Sequence, residues 1–158
     1  MRILRTIRLL LLSCWIGGGI FLVAVAAPAA FRHSSRSTAA EIVGAMLQVW
    51  HYMAIVVPLV LLVGELRRRN GSRSGAILLL TGILLFASIE IAVDLRLHSI
   101  RRDLAVPMDS LSLSHPIRAR FGRLHGISSS LLLLQLLAGI GLLAYEQRES
   151  PHAPSSHL

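Results

Sequence analysis

Glu90, Asp94, His98 and Arg101 stand four, four and three residues apart in "EIAVDLRLHSIR". At 100° per residue they fall within an arc of about 80° on one helix. Two carboxyl groups, an imidazole and a guanidinium on one face can hold a small cation, hand on a proton, or neutralise one another. A second such stretch is "RFGRLHGISSS", residues 120–130. There Arg118, Phe121, His125, Ser128 and Ser129 share one side of a helix, with Gln135 deeper, while Arg120 and Arg123 point roughly opposite. A third face carries Glu41, Gln48 and Tyr52, with His51 at its flank.

Together these faces describe a polar pocket lined by Glu90, Asp94, His98, His125 and Ser128, with Arg118 as counter-charge. Its chemistry suits a small ion or solute. A metal ion of hard or borderline character fits the donor set Asp94, His98 and His125. Haem b needs two histidines at similar depth. His98 and His125 meet that condition; His51, about 15 Å below the start of its helix, does not match His125. The same residues also suit an internal network, with Arg118 or Arg101 on Asp94 or Glu90 and serines bonded back to helix carbonyls. No catalytic motif is recognised: there is no P-loop, Gly-x-Ser-x-Gly or His-Glu-x-x-His. No enzymatic activity is therefore expected.

The elements that position these residues are apolar. Of 158 residues, 54% are hydrophobic and 15% charged, and the apolar ones collect in four blocks: Leu9–Ala27, Ile42–Val63, Ala76–Val93 and Gly126–Tyr145. Each is long enough for a helix to cross a hydrocarbon core of about 30 Å. Only a helix or a closed barrel satisfies its backbone in lipid. The expected fold is all-α: a four-helix transmembrane bundle over residues 1–147, with spans at about 7–27, 42–64, 76–96 and 124–145, followed by a disordered polar tail at 148–158. An ionisable group inside such a span is costly, about 2.5–3.5 kcal/mol at a helix centre, which is why Glu90 is a functional candidate.

Local signals set the boundaries. The first helix is expected to start near Ile3 and end before Pro28; Ser13 and Gly17–Gly19 offer small residues for close helix contact. Thr38 and Glu41 match a capping box for the second helix, which Pro58 is placed to kink. Asn70–Gly71 breaks the chain before a third helix from Ser74 to Arg102. Ser114, with Pro116 in the first turn, caps a fourth helix reaching Gln147 and about 48 Å long. The pattern of arginines, an apolar run and "AVAAPAA" also describes a cleavable signal peptide. The run is longer than a usual signal core, and retention as a span is the expectation. Cys14 stands alone and forms no internal disulfide.

The formal net charge is +8, and every basic residue is arginine. The arginines cluster at block ends, where lipid headgroups and orientation explain them, so nucleic acid is not expected as a partner. Eight fall on each side of the bilayer. The first span and the short 66–74 loop break the tie, placing both termini in the cytoplasm. The expected location is a bacterial inner membrane, with the lipid bilayer as partner and room for a homo-oligomer or a membrane-complex partner on Gly17–Gly19 and the fourth helix.

"WIGGGIFLVAVAAPAAF", Trp15 to Phe31, resembles the first span of transmembrane-protein-205-like proteins, the domain of unknown function 4149. "RFGRLHGISS" resembles the start of that family's fourth span. The resemblance covers about residues 5 to 147 and implies Pro28, Phe31, Phe121, His125 and Ser128 as signature residues. It also implies an asparagine one turn after the serines, where this chain has Leu132. It implies a small polytopic membrane protein without an established reaction. An animal relative is linked with metal-drug resistance, which favours ion or solute handling.

Overall fold

In the computed structural model, which describes residues 2–67, 74–104, 106, 108–112 and 114–148, burial repeats at helical spacing along every span. On the third span the buried positions are Ala76, Leu80, Ile83, Ala87, Glu90 and Leu97. Steps of four, three, four, three and seven form the narrow seam of a helix that packs lengthwise on its neighbours. Among the described residues there are five α-helices, α1 (Arg2–Phe21), α2 (Ala27–His33), α3 (Arg36–Arg67), α4 (Ser74–Arg102) and α5 (Pro116–Arg148), and all but the short α2 bury residues in this way. α1 and α2 are joined by a π-helical turn, Leu22–Ala26, into one span, Ile3–His33. The result is an all-α bundle of four helices long and apolar enough to cross a membrane.

The bundle is inside-out relative to a water-soluble protein. His51, Glu65, Glu90, Gln135 and Glu146 are buried, while Leu78, Leu85, Leu133 and Leu137 are exposed. Such an apolar exterior is a liability in water and the expected surface in lipid. The chain is a multi-pass membrane protein, and the bilayer is its solvent.

The largest interface is α4 against α5, followed by α3 against α4. α1 closes the bundle through two tryptophans. Trp15 and Trp50 stack with ring centroids 5.9 Å apart. Two glycines make room for them: a Cβ on Gly139 would lie 2.7 Å from Trp15, and one on Gly19 would lie 2.9 Å from Trp50. Gly17 and Gly18, expected to share that role, have open space around them.

Two boundaries and one cap differ from the sequence expectation. The first span does not end before Pro28 but continues to His33. The π turn explains this: Ala27 donates to the Leu22 carbonyl, five residues back, and the widened turn accommodates a proline ring that has no N–H to give. The second helix starts at Arg36, not at Thr38; Ser35 Oγ accepts the Thr38 N–H at 3.3 Å and is the cap. At α5, His115 takes the place expected of Ser114, its Nδ1 accepting the Ile117 N–H at 3.3 Å. α3 runs unbroken past Pro58. The expected Asn70–Gly71 turn and the polar tail from residue 149 lie outside the described residues.

Candidate functional site

Where α3, α4 and α5 meet, a line of titratable side chains leads from the core outward. Glu90 sits on the α4 seam at a position where Leu80 and Ile83 stand closer to the start of the helix. Ser128 Oγ donates to its Oε1 at 3.5 Å, and Gln135 Nε2 donates to its Oε2. His51 of α3 places Nε2 3.3 Å from Glu90 Oε1, off the direction of a good hydrogen bond. The other ring nitrogen, Nδ1, lies 3.9 Å from Asp94 Oδ2. That same oxygen is 3.4 Å from His98 Nε2, one helical turn further along α4. Side-chain exposure rises in this order, 1% for Glu90, 6% for His51, 24% for Asp94 and 53% for His98. The line therefore has a sealed end and an open end.

Glu90, Asp94, His98 and Ser128 are thus brought together, and His51 joins them. The arginines are not. Arg118, expected as counter-charge, donates instead to the Leu111 carbonyl at 2.6 Å and holds the α4–α5 connection. It lies ten residues before Ser128, about 15 Å along the helix, too far from Glu90. Arg101 lies over the Phe121 ring, 5.0 Å from its centroid. Among the described residues no arginine forms an ion pair with Glu90 or Asp94.

His125 is stacked on Phe121, 6.3 Å between centroids. It stands about 60° round α5 from Ser128. Both rings line a groove of about 580 Å³ at the bundle end, together with Phe31, Arg36, Glu41 and Arg101. Among the described residues no three His, Cys, Asp or Glu side chains converge as a metal ion requires, so the trio Asp94, His98 and His125 is not assembled. His98 and His125 likewise belong to different clusters. On α3 the polar face is rotated from the expected one: His51 turns inward, while Glu41, Gln48 and Tyr52 are exposed. Ser130 bonds back to the Gly126 carbonyl, as a helix serine does when it serves the backbone.

Sequence reasoning missed a second polar cluster at the opposite end. Arg8 of α1 pairs with Glu65 of α3 at 2.7 Å and with Glu146 of α5. Arg5 adds a bond to the Glu146 carbonyl at 3.3 Å. Both carboxyl groups are buried. Charge counting alone makes Arg8, among the arginines before the first span, only an orientation signal. The available clue was depth, because Arg8, Glu65 and Glu146 all lie near the same end of their spans.

The family model described as a domain of unknown function (DUF4149) matches residues 10–102, more than half of the chain. The chain belongs to this family. The match spans nearly all of the first three spans, with His51, Glu65, Glu90, Asp94 and His98 inside it. No curated protein and no solved structure matches the chain. α5 lies beyond the matched residues, including Phe121, His125, Ser128 and Gln135. At Leu132, where the resemblance implied an asparagine, the side chain is buried. The carboxamide that reaches Glu90 comes from Gln135, about one turn further along.

Proposed function

We propose that this chain binds or passes a small cation, in the first instance the proton, along the line Glu90–His51–Asp94–His98. One observation carries the reading: a carboxyl group fully buried in an apolar span has an imidazole, not a guanidinium, as its basic neighbour. A guanidinium holds its proton permanently, whereas an imidazole gains and loses one near neutral pH. Burying an ion without a partner costs several kcal/mol, so a polar neighbour 3.3 Å away matters to both Glu90 and His51.

Gln135 suits such a site because its amide has two ends. Its N–H donates to an ionised carboxylate; turned over, its oxygen accepts from a protonated one. In the present orientation Oε1 is buried without a hydrogen-bond partner among the described residues. The 3.9 Å step between His51 and Asp94 exceeds a direct hydrogen bond, and a water or a small side-chain shift closes such a distance. With both termini in the cytoplasm of a bacterial inner membrane, His98 faces outward and the Arg8 cluster closes the inner end. The resemblance to transmembrane-protein-205-like proteins adds weight to ion or solute handling.

The test is proton flux in vesicles that enclose a pH-sensitive dye. Wild type should speed equilibration of an imposed pH step, and Glu90→Gln should return it to the protein-free rate. Wild-type vesicles that match protein-free ones for protons, sodium and potassium alike would reject the reading. A second reading, a partner-binding subunit, has one observation in its favour. Ser13, Cys14, Gly17 and Gly18 lie exposed on α1, leaving a small-residue surface free for another helix. Stoichiometric co-purification of a partner that Gly17→Leu abolishes would support it.

A further inference from the structure

We infer that the groove at the outer bundle end is a binding site for the headgroup of an anionic phospholipid. Its lining comes from every span: Phe31 ends the first, Arg36 and Glu41 begin α3, Arg101 ends α4, and Phe121 and His125 begin α5. Each of these residues lies outside the apolar block of its own span, from one residue away for Glu41 and His125 to eight for Arg101. The groove therefore sits at the level of lipid headgroups, where the hydrocarbon ends.

Its charge is complementary to an anion. Two guanidinium groups and an imidazole face one carboxyl group, Glu41. Among the described residues no acid pairs with Arg36 or Arg101. Phe121 holds Arg101 above its ring and His125 beside it, so two of the basic groups share one aromatic support. Arginine matches phosphate with paired donors. The remaining wall is apolar apart from Ser37, and includes Leu104, Val106 and Met108. That combination fits a phosphodiester with the glycerol and upper acyl chain beside it, and the surrounding bilayer is its source. The site uses none of the residues of the Glu90 line and stands or falls separately from it.

The experiment is native mass spectrometry of protein taken from vesicles of equal phosphatidylglycerol and phosphatidylcholine. Wild type should retain phosphatidylglycerol with about a tenfold preference. Arg36→Gln with Arg101→Gln should bring that preference to parity. Arg36→Lys with Arg101→Lys should keep most of it, which separates lost charge from a lost fold. Arg120→Gln with Arg123→Gln, on residues outside the groove, should leave it unchanged. The proposal is overturned if wild type shows no preference, or if the groove pair and the outside pair lose it equally. It is also overturned if inorganic phosphate displaces the lipid, since the site would then take free phosphate.

Discussion

His51 Nε2 and Glu90 Oε1 lie 3.3 Å apart across the α3–α4 interface, with neither side chain more than 6% exposed. Neither group is placed there by its own helix alone. Glu90 occupies a seam position that apolar packing would fill with leucine, and His51 occupies the inward face of α3 beside Trp50. Each offsets the desolvation of the other, so removing one should hurt more than removing both.

That asymmetry is measurable. His51→Leu leaves Glu90 buried with fewer partners and should cost about 1–3 kcal/mol. His51→Leu with Glu90→Leu replaces the pair by apolar groups and should recover most of the loss, as buried pairs often do. Reversible unfolding in mixed micelles gives the four stabilities. Costs that simply add would show that the two side chains do not interact.

The opposite end makes a stronger demand. Arg8 is shared between two buried carboxyl groups on different helices, Glu65 and Glu146. Arg8→Gln strands both, and should cost about 3–5 kcal/mol. Adding Glu65→Gln and Glu146→Gln should restore much of it. Arg96→Gln, on an exposed residue of α4, should stay within about 0.5 kcal/mol of wild type. Thermal unfolding of the purified variants in one detergent decides it, and equal melting of Arg8→Gln and Arg96→Gln would refute an internal role for Arg8.

These two clusters show where the sequence is legible. Helix extents are: α4 runs from Ser74 to Arg102 and α5 starts at Pro116, as the apolar pattern and the proline predict. The shared face of Glu90, Asp94 and His98 is legible too, because spacing along one helix fixes angle. Partners across helices are not. Spacing places Arg118 on the face of α5 that carries Ser128, but not at its depth, and the rise along the helix puts it with Leu111. His51 read as a flank residue because the rotation of α3 is set by Trp50 stacking on Trp15, a contact between two spans. Pro28 read as a stop because a π turn leaves no mark in composition. Arg8 read as an orientation signal because counting arginines ignores which ones find acids inside the bundle.

Orientation and the direction of the open end can be settled together. Cys14 is the one cysteine of the chain, and Cys14→Ala supplies a clean background. On this background His98→Cys, at the half-exposed end of the line, should react with a membrane-impermeant maleimide on intact cells. Arg67→Cys, at the far end of α3, should react only after the membrane is permeabilised. Glu90→Cys, fully buried, should react in neither condition. If the two exposed positions exchange behaviour, the termini lie outside and the line opens towards the cytoplasm. If Glu90→Cys reacts from both sides, the α3–α4–α5 junction is a water-filled passage without a sealed end. The Arg8 cluster then cannot be its inner closure.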